Sequence, residues 1–64
     1  MIVRLRQPTR EITVDTAPTV DRLLERLELA RESHLVIRNG TLVPGDARLE
    51  PDDVIEIRPV VSGG

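Results

Sequence analysis

Most side chains that ordinarily do chemistry are missing from this 64-residue sequence. Without cysteine there is no thiolate nucleophile, no redox pair and no thiolate ligand for zinc or an iron-sulfur cluster. His34 is the only histidine. Beside polar Ser33, such a lone imidazole is usually a solvated surface group rather than a base or ligand. Asp46, Asp52 and Asp53 lack the alternating ligand spacing of a calcium loop and sit among turn-forming residues, so no metal site is expected. All nine basic residues are arginine and none is lysine, which leaves the N-terminal amine as the only amine open to acylation. Codon composition is the plainer explanation of that bias, ahead of selection against self-modification.

The remaining candidate is the run Val60-Val61-Ser62-Gly63-Gly64, which follows Pro59 and has neither helix nor strand periodicity. Five extended residues reach at most about 18 Å, enough to carry a terminal carboxylate into a deep active site. Glycine at the last two positions removes side chains that would block a narrow channel and opens backbone angles closed to other residues. A frayed terminus is the ordinary alternative for such a segment. On residue types alone the frayed terminus is the favoured reading.

Composition excludes several function classes. There is no Phe, Tyr or Trp to stack on unpaired bases, and the net charge of -2 opposes a direct grip on phosphates, so no direct nucleic-acid binding is expected. Met1 to Arg6 holds two arginines and lacks a signal-length apolar run, and no stretch approaches a membrane span, which leads to the expectation of a cytoplasmic, soluble protein without a membrane partner. Apolar residues at 39% are placed with period, so the chain is expected to fold as one small domain.

The elements that must position the end are legible in that periodicity. Met1, Val3 and Leu5 alternate with Ile2, Arg4 and Arg6, and Ile12 and Val14 alternate with polar residues beyond Gln7-Pro8-Thr9-Arg10, which predicts a hairpin. Thr19 is a candidate N-cap for a helix starting near residue 20, whose stripe is Val20, Leu23, Leu24 and Leu27. Leu29 to Ser33 is expected to be its fraying end and a connection. Leu35-Val36-Ile37-Arg38 predicts a third strand, and Asn39-Gly40 predicts a tight turn into Thr41-Leu42-Val43. Asp46 to Asp53 is a polar connection anchored by Leu49, and Val54 to Arg58 is the last strand, stopped by Pro59. The predicted buried set is Val3, Leu5, Ile12, Val14, Val20, Leu23, Leu24, Leu27, Leu35, Ile37, Ile55 and Ile57.

The order strand, strand, helix, strand, short strand, strand gives an α+β domain with one helix on one face of a mixed sheet of four to five strands, matching the β-grasp or ubiquitin-like fold. Residues 1–59 form that domain in this reading, and 60–64 a flexible tail. Over essentially its whole length the chain resembles the ThiS/MoaD-like sulfur carriers. The resemblance rests on Val20-Asp21-Arg22-Leu23-Leu24, on Leu35-Val36-Ile37-Arg38-Asn39-Gly40, and on the stretch from Pro51-Asp52-Asp53-Val54 to Val61-Ser62-Gly63-Gly64.

The resemblance implies a substrate and carrier rather than an enzyme. An adenylating enzyme related to ubiquitin-activating enzymes spends ATP on the Gly64 carboxylate, with no cofactor bound by the carrier itself. A persulfide from a cysteine desulfurase or rhodanese-type donor then displaces AMP, and the thiocarboxylate serves a downstream sulfurtransferase or synthase. Gly64 is the implied reacting position, Gly63 its neighbour, and Ser62, Val61 and Val60 the guiding tail. The Val-Ser-Gly-Gly ending, the arginine in the third strand and the longer first hairpin look most like carriers for transfer-RNA thiolation, some of which are conjugated to protein lysines. Carriers for thiamine or molybdopterin synthesis are the alternative, and a ubiquitin-like interaction domain that is never activated is a third. Strand alternation predicts that Arg4, Arg6, Val36, Arg38, Val54, Glu56 and Arg58 share the face away from the helix, a mostly basic docking surface; pairing among themselves and with Glu11 is the plainer role.

Overall fold

A computed structural model describes residues 1–6 and 9–60. The elements are β1 (Ile2–Leu5), β2 (Arg10–Thr13), α1 (Val20–Arg26), β3 (His34–Arg38), β4 (Thr41–Val43) and β5 (Val54–Pro59), with one 3-10 turn at Arg31–Ser33. The sheet order is β2-β1-β5-β3-β4. Parallel β1 and β5 lie together, every other pairing is antiparallel, and the helix makes the crossover, which is the expected β-grasp arrangement.

The local signals explain most boundaries. The Thr19 side chain accepts from Arg22 N at 3.3 Å, and Val20 N and Asp21 N donate to the carbonyls of Ala47 and Gly45, so the connection after β4 completes the helix cap. A β-carbon at Gly45 would run into the Asp21 carboxylate, so a larger residue there has to displace that side chain from its place beside Arg31. The helix ends abruptly rather than fraying. Leu29 N returns to Leu24 O at 2.9 Å and Glu28 N to Glu25 O at 3.1 Å, with Glu28 at φ 59. These bonds form a Schellman motif closed on a non-glycine residue, so the usual sequence marker is absent. At the predicted tight turn, Asn39 (φ 49) and Gly40 (φ 86) join Arg38 to its partner Thr41.

The core packs Val20, Leu23 and Leu24 of the helix against Val3, Ile55 and Ile57, with Met1, Ala17, Val36 and Leu49 around them. Leu5, Ile12, Val14 and Leu27 pack at its margin as partly buried residues. One strand of the predicted core is corrected. Val36 is buried at 4% exposure whereas Leu35 is 45% exposed and Ile37 half-buried. The cause is register: Val36 pairs with Ile57 and with Val43, and both lie on the helix side. β5 also runs one residue further than expected, since Pro59 still pairs with His34. Its missing N–H does not prevent this because pairing continues through Val60 N, which donates to Ser33 O at 2.7 Å. Among the described residues no helix is long and apolar enough to cross a membrane.

Candidate functional site

Register places three rows of side chains on the sheet face turned away from the helix. Across the middle run Glu11, Arg4, Glu56, Ile37 and Leu42, each directly opposite the next. Thr13, Ile2 and Val54 form a row at one end, and Arg58 faces Leu35 at the other. Arg4 binds Glu11 at 3.1 Å, Arg6 binds Glu56 at 3.2 Å, and Arg58 binds the same Glu56 oxygen. The Arg58 hydrogen bond, helped by Arg6, holds the Glu56 carboxyl below its usual range. Three guanidinium groups thus meet two carboxylates, leaving one positive charge over. The face is weakly basic, and its distinguishing content is apolar: Ile2, Leu35 and Leu42 are exposed large hydrophobics, with Ile37 and Val54 half-exposed between them.

Two residues expected on this face are elsewhere. Val36 belongs to the core, as its register requires. Arg38 pairs with Ile55 and so lies on the helix side, at the end of the strand, where its Nε donates to Asp53 at 2.6 Å. Asp53 is 4% exposed and also accepts from Asn39 Nδ2 at 2.9 Å and Glu50 N at 2.7 Å. The Arg38 bond outweighs burial and pulls the Asp53 carboxyl down to about 2. Asn39 Oδ1 in turn accepts from Val54 N at 2.9 Å. This clasp fastens the β3–β4 turn to the start of β5, and it is structural. Asp53 does make the predicted turn, through Glu50 N, but its reach to residues 38 and 39 leaves no local mark in the sequence.

Arg4, Arg6, Val54 and Arg58 are on the open face as expected. Leu35, Ile37 and Leu42 were not anticipated there. A two-residue turn at Asn39-Gly40 ties the face of Leu42 to that of Ile37, so misplacing Ile37 hid Leu42 as well. β5 carries the centre of this face and leads to Val60, whose N–H is held by Ser33 O. A cleft of about 210 Å³ lies beside that end, lined by Leu5, Arg6, Arg10, Leu29, His34, Ile57 and Pro59. His34 is half-buried on the helix side of β3 rather than solvated as expected, and its Nδ1 lies 2.7 Å from Ala30 O. Val61, Ser62, Gly63 and Gly64, the expected carrier end, lie outside the described residues.

A β-grasp sheet with one open, partly apolar face and its last strand leading to a Gly-Gly end agrees with the family comparison, in which the model described as ThiS family matches residues 2–64. The chain belongs to the ThiS family. Comparison with curated proteins gives no match. Proteins of the ThiS family are small sulfur carriers rather than enzymes, and they work with an adenylating enzyme and with sulfur-transfer partners. The site of a carrier is therefore its reactive end together with the surface by which others grip it.

Proposed function

We propose that this chain carries sulfur on the carboxylate of Gly64 and delivers it to transfer-RNA thiolation. The open face supports the carrier reading most directly: it offers Ile2, Leu35 and Leu42 to a partner and shares β5 with the exit towards the tail. From Val60, the four remaining residues span at most about 14 Å when extended, so a partner seated on this face has its catalytic centre within a short distance of β5. A carboxylate is a poor electrophile. The activating enzyme binds ATP and forms the acyl-adenylate, the terminal sulfur of a persulfide attacks the carbonyl carbon as AMP leaves, and a second thiol then cleaves the S–S bond of that acyl disulfide, which frees the thiocarboxylate and leaves a disulfide on the donor. The carrier itself holds no cofactor in this scheme. Its contribution is the free, unhindered end, which Gly63 and Gly64 supply and which Val60, Val61 and Ser62 guide.

The thiolation pathway is favoured by the Val-Ser-Gly-Gly ending and the longer first connection. Arg38 gives it no support, because that side chain is committed to Asp53. Conjugation to lysines of other proteins is part of the same proposal, and copies of this chain offer no lysine of their own. Thiamine and molybdopterin synthesis are the second reading, to which the family match applies equally. The thiocarboxylated chain, offered in parallel to transfer-RNA thiolation, thiazole-forming and molybdopterin-forming enzymes, should yield thiolated RNA fastest. Product in another arm alone would move the carrier to that pathway.

A further inference from the structure

We propose that Asn39 is a site of spontaneous deamidation that the Asp53 clasp holds closed, and whose product cannot re-form the clasp. In an Asn-Gly pair the glycine nitrogen meets no side chain on its way to the neighbouring amide carbon. Gly40 N bonds to Asn39 Cγ, the Cγ–Nδ2 bond breaks, and ammonia leaves with the proton from Gly40. Water then opens the resulting cyclic imide to aspartate or isoaspartate. The net change is one amide and one water to one carboxylate and one ammonium, and solvent is the only co-reactant.

In the native chain this path is blocked by commitments of the same amide. Nδ2 donates to Asp53 Oδ1 and Oδ1 accepts from Val54 N, each at 2.9 Å, while Asn39 N donates to Val54 O at 2.9 Å. Moving Cγ towards Gly40 N surrenders both side-chain bonds, so reaction has to pass through an opening of the turn away from β5. The turn itself is uncrowded, since a β-carbon placed on Gly40 meets nothing within 4 Å. Once a carboxylate replaces the amide, there is no N–H for Asp53 Oδ1, and two anions face each other where that bond was, with Arg38 paired to the other Asp53 oxygen. An isoaspartate also lengthens the backbone at a turn that has only two residues. The lesion lies at the start of β5, the end remote from Val60, so an altered copy keeps the carrier end while losing a fastening of the sheet.

The test follows the intact mass of the full chain in mildly alkaline buffer, where each event adds about one dalton, with peptide mapping to place it. The native chain should convert at least about tenfold more slowly than the same chain in concentrated urea. Asp53→Asn should raise the rate in buffer towards the rate in urea, and Gly40→Ala should slow the rate in urea. Equal rates for the native and the urea-unfolded parent would overturn the proposal, as would a folded Asp53→Asn chain converting no faster than the parent. Where Asp53→Asn fails to fold, Asn39→Asp decides instead: it should melt below the parent and exchange its Val54 amide faster. An Asn39→Asp chain indistinguishable from the parent in both respects would refute the idea that the product cannot re-form the clasp.

Discussion

Replacing Leu35 and Leu42 together by alanine tests whether the open face is gripped through its apolar residues. Burying a whole leucine side chain is worth about 1.5–3 kcal/mol. Leu35 is 45% exposed and Leu42 61% exposed, so on that scale docking has only part of each left to bury. The structure therefore assigns about 1 kcal/mol to Leu35 and about 1.5 kcal/mol to Leu42. Together they amount to about 2–3 kcal/mol, or on the order of a hundredfold in affinity. The assay is adenylation by the activating enzyme against carrier concentration, with a thermal melt alongside. The double variant should raise KM by that order while kcat changes little, because the reacting end is untouched. Its melting temperature should stay near the parent's, as neither side chain belongs to the buried core. An unchanged KM in a folded double variant would show that the partner grips some other surface.

The remaining expectations concern charge and stability. Arg4→Glu should slow adenylation by about two- to fivefold at low salt and little at high salt, given one surplus positive charge over the face; equal slowing at both would exclude steering. Val36→Ala should cost about 1.5–3 kcal/mol and Leu24→Ala about 2–5 kcal/mol in urea unfolding, with Ile37→Ala below both; the reverse order for Val36 and Ile37 would invalidate the register of β3. Asp53 titrates at about 2 in the fold against its ordinary 3.8, so the folded chain holds that proton less tightly than the unfolded one. The stability it adds is complete above about pH 4 and is lost as the pH falls through about 2. Asp53→Asn should accordingly melt below the parent at neutral pH, by about 1–3 kcal/mol, with the gap closing under acid; a gap independent of pH would refute the ion pair.

The element order and the helix stripe were legible because period two and period 3.6 are written plainly in Val3-Leu5 and Val20-Leu23-Leu24-Leu27. β3 was not, because Leu35-Val36-Ile37 has no alternation. Its flanks point the wrong way: His34 and Arg38 share the inward side with Val36. They are tolerated there because they sit at the strand's ends, one beside Ala30 O and the other bonded to Asp53. Tertiary register decided the face, and register depends on the Asn39-Gly40 turn and the Asn39–Val54 bonds, which join residues 15 apart. For the same reason Arg38 read as a docking residue from the sequence and is a structural one in the fold. The chemistry proposed for Gly63 and Gly64 rests on the family pattern alone, because two glycines at a chain end carry no physical signature of activation.

The central claim is that the Gly64 carboxylate is the group that reacts, and intact mass measures it most directly. Incubated with the activating enzyme, ATP, a persulfide donor and a thiol reductant, the chain should gain about 16 Da, the exchange of one oxygen for sulfur, with the change mapped to Gly64. A chain ending at Gly63 should gain nothing. A parent chain that stays at its original mass with a demonstrably active enzyme, or a truncated chain that gains the same increment, would contradict the account.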